Sequence, residues 1–492
     1  MRQIKIDPVT RLEGHGKIDI FLNDDGEVAN CYFQVPELRG FEQFVVGRPI
    51  EEMPRITTRI CGVCPEAHHM AAAKACDAVY NIQIPSAGKK LRELLYNTFY
   101  TADHTVHFYA LSGPDFVCGP DAPPAERNII GVIKKVGLEV GGKVIELRSK
   151  CQEIIQMLGG KKIHQVTAIP GGVSRGINEE ERKKIEEYAK FFVEFGQFTF
   201  KIFEDIVLKN EAYVDLIVNG PYLHKTYYMG LVDEKNQVNF YDGMVKVVDP
   251  DGNEFCKYKP SDYLEHIEEH MESWNYLKYP FLKKVGWKGL VDGKDSGVYR
   301  ATPLSRLNVS EGMPTPLAQA EYEKYFETLT GDKSGKTPVH NTLATHWARI
   351  IELQYAAEKV MEIIKDPEIT SQDYRAVCTN VPHEGVGIVE APRGTLTHHY
   401  VTDEKGIVTK ANLIVGTTNN HAAISMSIKK AAEGLIKKGV EVTEGTLNKI
   451  EMAFRAYDPC FGCATHTLPG QMPMILTIRK PDGEIIDEVK RN

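Results

Sequence analysis

The hydrophobic pattern of this chain changes character along its length. The first 35 residues alternate apolar and polar positions in three short runs, with the turn sequence Asn-Asp-Asp-Gly at 23–26, and this pattern predicts antiparallel strands. From Pro65 onward apolar residues recur at helical spacing. Helices are predicted for residues 65–80, 87–111, 178–208, 341–365, 420–438 and 446–456.

The organisation of the chain is that of one large unit. Between residues 212 and 315 the pattern changes to short strands and turns, which we interpret as a β-rich insertion on a helical body. The last residues, 474–492, predict a hairpin around 481–483. No repeat or linker-like stretch is present, so residues 1–492 are predicted to form a single domain of the α+β class, predominantly helical with peripheral β elements.

Composition narrows the class of protein. The 492 residues, 42% hydrophobic and 26% charged, suffice for a sizeable core. A net charge of -8 argues against nucleic acid as a partner. No run reaches the roughly 18 to 20 apolar residues of a membrane span, and the N-terminus has no apolar signal core. We therefore expect a cytoplasmic protein without a membrane span.

Four of the ten cysteines form two C-x-x-C pairs, Cys61 with Cys64 and Cys460 with Cys463. Such spacing lets two thiolates converge on one ion, and four thiolates make a soft site that suits zinc, iron–sulfur clusters or other late transition metals. A closed structural zinc site is therefore a serious alternative. A thioredoxin-like redox pair is disfavoured, because no short βαβ pattern surrounds either motif.

Two features argue against zinc. The pairs lie near opposite ends of the chain, whereas zinc ribbons usually bring theirs together within a few tens of residues. A histidine also follows each pair, His68 after the first and His466 after the second. A closed structural zinc site does not need these additional polar side chains.

At these motifs the chain resembles a known family. Residues 59–68, RICGVCPEAH, resemble the signature R-x-C-G-x-C-x-x-x-H of [NiFe]-hydrogenase large subunits, and residues 458–466, DPCFGCATH, resemble their D-P-C-x-x-C-x-x-H signature. Residues 7–15 (DPVTRLEGH) and 390–394 (EAPRG) are similar to further family segments. The resemblance covers nearly the whole chain. The 49-kDa-type subunit of respiratory complex I shares the fold but lacks the four cysteines, which sets it aside.

Within the family, the chain resembles the cytoplasmic multimeric group. The similarity is greatest to the methyl-viologen-reducing hydrogenases that feed heterodisulfide reductase in methanogens and other anaerobes. The coenzyme F420-reducing and NAD-reducing branches are near neighbours, and an H2-sensing hydrogenase is a related possibility. The resemblance implies reversible cleavage of H2 to protons and electrons.

The resemblance also implies a nickel–iron centre. Cys61 and Cys460 would be terminal ligands of nickel, and Cys64 and Cys463 would bridge nickel and iron. The iron would carry carbon monoxide and cyanide. Cys460 would accept the first proton, and Glu13 would relay it outward.

Further residues acquire roles by the same resemblance. Arg393 would lie above the open metal site, held by Asp103 and Asp458, and His68 would hydrogen-bond a bridging sulfur. The residues implied to contact the iron ligands are Thr417, Thr418 and Pro392. Gly416 stands where most relatives have proline, so the sequence departs from the family next to these threonines.

Three expectations concern metals and partners beyond this centre. Glu42 and His466 would bind a magnesium or iron ion near the C-terminus. A maturation endopeptidase would remove residues 467–492 after nickel insertion. Iron–sulfur clusters are expected only in partners, because the remaining cysteines are dispersed. These partners would be a small iron–sulfur subunit, together with heterodisulfide reductase or a flavoprotein and its electron-transfer subunit.

Overall fold

The computed structural model describes residues 2–465, 474–480 and 484–491. Helices make up most of its regular structure, which confirms the prediction of a mainly helical α+β chain. The α-helices of these ranges are α1 Phe41–Phe44, α2 Met53–Ile56, α3 Pro65–Val79, α4 Ser86–Val106, α5 Gly113–Val117, α6 Ile129–Val136, α7 Leu138–Gly159, α8 Glu179–Phe203, α9 Glu211–Val218, α10 Tyr263–His266, α11 Pro303–Val309, α12 Pro316–Thr330, α13 Thr345–Lys365, α14 His421–Leu435, α15 Glu444–Arg455 and α16 Phe461–Ala464.

The strands form several small sheets. They are β1 Arg2–Ile6, β2 Lys17–Leu22, β3 Val28–Gln34, β4 Ala168–Ile169, β5 Gly172–Val173, β6 Tyr227–Val232, β7 Met244–Val248, β8 Glu254–Tyr258, β9 Ile267–Met271, β10 Lys278–Leu282, β11 Tyr299–Arg300, β12 Glu384–Ala391, β13 Gly394–Thr402, β14 Val408–Ile414, β15 Met474–Arg479 and β16 Ile485–Arg491. Two antiparallel three-stranded sheets are β1-β2-β3 and β12-β13-β14. In the sheet β11-β6-β7-β8, β11 pairs with β6 in parallel.

Most of the predicted elements are confirmed. The three N-terminal strands are present, and each predicted helix appears within a few residues of its expected bounds. Asn178 caps α8 and forms a capping box with Glu181, which satisfies backbone donors at the helix start. The helix expected at 87–111 ends as α4 and continues as a π-helical turn, His107–Ser112. The expected C-terminal hairpin corresponds to β15 and β16, while residues 481–483 lie outside the described ranges.

The β-rich segment 212–315 and the strands β12 to β14 lie outside the predicted helices. The segment 212–315 carries the short strands β6 to β11 together with most of α9 and all of α10 and α11; its status as an insertion stays a prediction. The strands β12 to β14 were not predicted, and most of their residues are buried. Among the described residues, none of the helices has the length and apolar character needed to cross a bilayer.

The packing of α3 brings distant parts of the chain together. Helix α13 packs against α4 and α8, and α3 lies on β12 and β13. This approach is close: a Cβ atom at Gly387 of β12 would lie 2.1 Å from the carbonyl oxygen of Ala71 in α3, so only glycine fits there. The start of α3 and the turn between β12 and β13 therefore meet, and that meeting place holds the cysteine motifs.

Candidate metal centre

Four cysteine sulfurs converge inside the protein. The Sγ atoms of Cys61 and Cys460 are 3.3 Å apart, those of Cys64 and Cys463 are 3.4 Å apart, and those of Cys460 and Cys463 are 2.8 Å apart. All four Sγ atoms lie within 4.8 Å of one another and are buried. Within the described ranges this is the one group of three or more His, Cys, Asp or Glu side chains with such spacing. Four soft donors at this distance fit late transition metals.

The local backbone explains how each pair is held. Cys64 is the N-cap of α3, and Pro65 takes the first helical position, where a missing N–H costs nothing. The N–H of Val63 lies 3.1 Å from Cys61 Sγ and that of Cys64 lies 3.3 Å away, so both donors favour a thiolate at Cys61. Cys460 precedes the short helix α16, which carries Cys463.

The N-terminal segment is joined to the second motif. Cys460 Sγ donates to Glu13 Oε2 at 2.9 Å, and the N–H of Gly462 donates to the same oxygen at 2.9 Å. The carbonyl oxygen of Glu13 accepts from Phe461 N at 3.0 Å. Gly14, at φ +90°, passes so close that a Cβ there would lie 2.9 Å from Phe461 Cβ. The Glu13 carboxylate is therefore fixed on Cys460, and it remains partly exposed.

Arg393 lies at the turn between β12 and β13, between two carboxylates. Its Nη1 is 3.1 Å from Asp103 Oδ1 and its Nη2 is 3.0 Å from Asp458 Oδ2, with all three side chains buried. Burial works against the charge of Arg393, but the two carboxylates outweigh it and hold the pKa of the guanidinium well above its ordinary value. Burial raises the pKa of Asp458 to about 7. The three residues form a buried charge cluster beside the thiols.

A small cavity of about 10 Å³ adjoins the cysteines, and apolar side chains form much of its wall. Its polar lining includes His68, Arg393 and Thr417. Two polar atoms of this lining, His68 Nε2 and Arg393 Nε, are buried and have no hydrogen-bond partner among the described atoms. Burial lowers the pKa of His68 to about 4, so its ring is neutral. Buried polar atoms need partners, and a metal group with polar diatomic ligands beside four sulfurs would supply them.

Comparison with known proteins decides between the metals. A family model described as nickel-dependent hydrogenase matches residues 39–134 and 142–466, and one described as HoxL-like matches residues 3–38. The chain belongs to the nickel-dependent hydrogenases. It is the catalytic large subunit of a [NiFe]-hydrogenase, which confirms the sequence-based identification. The four-cysteine group is accordingly a nickel–iron site, and the structural zinc alternative is set aside.

Individual relatives match over their full length. The chain is 49% identical to an F420-non-reducing hydrogenase iron-sulfur subunit of Archaeoglobus profundus, with 100% of both chains covered. It is 41% identical to an F420-non-reducing hydrogenase subunit of Methanothermobacter marburgensis, over 99% of this chain and 100% of the relative. A crystal structure of an NAD+-reducing [NiFe]-hydrogenase in the H2-reduced state matches with a TM-score of 0.85 and 35% identity, covering 95% of this chain and 100% of that one.

Three further residues, Thr417, Thr418 and Pro392, are predicted to contact the iron ligands, and they differ in their position relative to the cavity. The hydroxyl oxygen of Thr417 accepts from Cys460 N at 3.0 Å, and Thr417 lines the cavity. Thr418 is buried nearby, yet neither it nor Pro392 belongs to the cavity lining. The carbonyl of Pro392 accepts from Arg306 at 3.0 Å. Their contacts with iron ligands stay predictions.

At the expected second metal site, the ammonium group of Lys278 provides a positive charge beside Glu42. Glu42 Oε1 accepts from Lys278 Nζ at 2.8 Å and from the N–H of Leu413 at 2.7 Å. Lys278 also lies 3.2 Å from Glu269. His466, the other expected ligand, is outside the described residues, so this site stays a prediction.

The hydrogenase large chain further contains a supporting arginine that sequence reasoning missed. Arg306 is completely buried and donates to both carboxylate oxygens of Glu352, at 2.5 and 2.7 Å, and to Glu390 at 2.9 Å. It also donates to the carbonyls of Ala391 and Pro392, at 3.1 and 3.0 Å. Arg306 thus holds the turn that presents Arg393. The only sequence signal was a charged residue within an otherwise apolar helix start, which by itself does not identify a partner.

Proposed function

We propose that this subunit cleaves H2 heterolytically and reversibly, yielding two protons and two electrons. Cys61 and Cys460 would be terminal nickel ligands, while Cys64 and Cys463 would bridge nickel and iron. When bound, the nickel–iron group supplies a soft, redox-active metal pair that polarises H2, with carbon monoxide and cyanide on the iron. The four buried sulfurs within 4.8 Å of one another support this ligand set.

The proton route is carried by one contact, the 2.9 Å hydrogen bond between Cys460 Sγ and Glu13 Oε2. In this proposal the Cys460 sulfur takes a proton and passes it to the Glu13 carboxylate. Such a transfer needs donor and acceptor within hydrogen-bond reach, and this pair meets that condition. Because Glu13 is partly exposed, it also has access to solvent or to a surface shared with a partner.

Charged and polar groups around the cavity complete the proposal. Arg393 would present a fixed guanidinium to H2, and Asp103 and Asp458 would fix its orientation through contacts of 3.1 and 3.0 Å. His68 would donate to a bridging sulfur. Thr417, Thr418 and Pro392 would contact the iron ligands; for Thr417, its place in the cavity wall supports the assignment.

A second metal and a processing step belong to the same proposal. Glu42 and His466 would bind magnesium or iron, with the Lys278 ammonium as a neighbour. That ammonium already neutralises part of the buried negative charge, so the ion would bind beside it. A maturation endopeptidase would remove residues 467–492, and the rest of the chain, including the β-rich segment 212–315, would act as one catalytic domain.

Electrons require partners. Apart from the four cysteines, the described residues offer no other metal-binding group of three or more His, Cys, Asp or Glu side chains, so a small iron–sulfur subunit would carry the electrons away. We propose a cytoplasmic complex with heterodisulfide reductase and an electron-transfer subunit; the relatives named F420-non-reducing hydrogenases support an acceptor other than F420. The NAD+-reducing neighbour supports the alternative, a flavoprotein that reduces NAD+; an F420-reducing enzyme is a further alternative.

Glu13→Gln tests the proton route in the purified complex. A glutamine at position 13 can still accept from Gly462 N, so the fold is kept while the proton carrier is lost. We expect H2 oxidation to fall by about a hundred- to ten-thousandfold, with nickel and iron contents unchanged by elemental analysis. Glu37→Gln, which removes a carboxylate that bonds His15 in the same region, is the matched control and should retain activity. Wild-type turnover in Glu13→Gln would contradict the route.

A further inference from the structure

Three buried side chains, linked by hydrogen bonds, lead away from the metal cavity. His68 Nδ1 lies 3.1 Å from His398 Nε2, and His398 Nδ1 lies 2.8 Å from the hydroxyl of Tyr400. All three residues are 0% exposed. The remaining ring nitrogen of His68, Nε2, has no hydrogen-bond partner in the described ranges, and His68 lines the cavity beside Cys64 and Cys463.

The protonation of these groups determines which atom donates and which accepts in each of the two hydrogen bonds. Burial raises the pKa of Tyr400 well above its ordinary value, so its phenol keeps the proton and must donate it. Among the described hydrogen bonds, the partner of that phenol is His398 Nδ1, which is therefore an acceptor. A neutral imidazole with an accepting Nδ1 carries its proton on Nε2. His398 then donates to His68 Nδ1, and the His68 proton must sit on Nε2.

We propose that Tyr400 and His398 are positioning residues that fix the tautomer of His68, so that its Nε2–H points into the metal cavity as a permanent donor. The inference deepens the proposed function and rests on it. A ring nitrogen without this support would present a donor or an acceptor, depending on the tautomer. A fixed donor hydrogen-bonds a bridging thiolate and lowers the electron density that this sulfur gives to the metals.

Tyr400→Phe in the purified hydrogenase complex tests the proposal. The substitution removes one hydroxyl and keeps the ring, so His398 loses the donor that orients it. We expect the infrared band of iron-bound carbon monoxide to move to lower wavenumber, because a thiolate without a hydrogen bond from His68 donates more electron density to the metals. Loss of support for a metal-ligand partner commonly costs about ten- to a hundredfold in activity or metal affinity, and we expect H2 oxidation to fall within that range.

A neighbouring pair provides the control. The hydroxyl of Tyr263 lies 2.8 Å from Nδ1 of His399, the next residue of β13, and both side chains are buried. His399 lies outside the cavity lining, so Tyr263→Phe should leave the infrared bands at their wild-type positions while removing the same kind of bond. This comparison separates an effect on His68 from a general effect of losing a buried hydroxyl.

Three outcomes decide the matter. If Tyr400→Phe shows wild-type bands and wild-type turnover, the positioning role is overturned. If it shifts the bands no more than Tyr263→Phe does, the role is equally overturned. If Tyr400→Phe does not assemble, His398→Leu, which removes the donor to His68 directly, should shift the carbon monoxide band in the same direction, and an unshifted band overturns the proposal. Absence of carbon monoxide and cyanide bands from wild-type enzyme would instead refute the proposed cofactor.

Discussion

Arg306 offers the sharpest test of how the site is supported. Arg306→Met would remove a guanidinium that bonds two carboxylates, Glu352 and Glu390, in a region with 0% side-chain exposure. Removing one partner of a buried ion pair typically costs about 3–5 kcal/mol, because the remaining charge is left without compensation. Two carbonyl oxygens of the Arg393 turn would lose their donor in the same variant.

This loss translates into a measurable change in melting temperature. The entropy of unfolding is about 2.1 cal/mol/K per residue, and for 492 residues this amounts to about 1 kcal/mol per kelvin. We therefore expect Arg306→Met to lower the melting temperature by about 3–5 °C. Activity per folded molecule should fall as well, because the carbonyls that Arg306 holds belong to the two residues before Arg393.

Differential scanning calorimetry and H2 oxidation at a temperature well below melting measure the two effects separately. Arg182→Met is the matched control: Arg182 also contacts two glutamates, Glu179 and Glu186, but these side chains are partly exposed on α8, and ion pairs in contact with solvent contribute little. A wild-type melting temperature for Arg306→Met would show that the buried carboxylates can lose this cation without destabilising the fold, which contradicts the prediction. Normal specific activity in a destabilised variant would refute the support of Arg393.

Two further predictions concern the metal ligands and pH. Cys460→Ser should abolish nickel retention in elemental analysis, and a nickel content equal to that of wild type would contradict the ligand assignment. Burial raises the pKa of Glu66 from 4.5 to about 8, so between these values the folded protein holds a proton that the unfolded chain releases, and stability declines as pH rises. In melting temperatures measured from about pH 5 to about pH 9, Glu66→Gln should remove this part of the decline; an unchanged slope would show that Glu66 does not cause it.

The sequence predicted the elements whose signals are local. The helix start at Asn178, the helix start at Pro65 and the turn at 23–26 each depend on interactions within a few residues. These features can be recognised without knowledge of the rest of the chain. The two cysteine motifs are local in the same sense, because the C-x-x-C spacing alone lets each pair converge.

The strands around Arg393 could not be predicted in this way. β12 and β13 are buried on both faces, and the buried residues include polar ones such as Thr395, Thr397 and His398. These strands therefore lack the alternation of polar and apolar residues that marks a half-exposed strand. A buried polar group here can have a partner that is distant in sequence: Glu390 of β12 accepts from Leu231 N at 2.8 Å. Without this alternation, the period-two signal of a strand is absent.

The role of Arg306 and the contact between the two cysteine motifs could not be predicted from local sequence signals either. The partners of Arg306 are 46 and 84 residues away in sequence, and no spacing rule connects them. The thiols of Cys61 and Cys460 meet across 399 residues. Spacing alone left a soft-metal site with zinc as a competitor, and only the resemblance to the hydrogenases predicted that the motifs join.

Hydrogen bonds to backbone carbonyl oxygens hold the two motifs together, in addition to the contacts between the sulfurs. Arg39 Nη1 donates to the carbonyl oxygens of Ile60 and Gly462, at 2.8 Å for the latter, and so joins the first motif to the second. The N–H of Arg39 also donates to Thr465 O at 3.0 Å. Burial raises the pKa of the Cys460 and Cys463 thiols well above their ordinary range, and ionising them together without a counter-charge would be costly. Metal ions supply that charge and displace the thiol protons. Binding of the metals would therefore set the ionisation of these thiols.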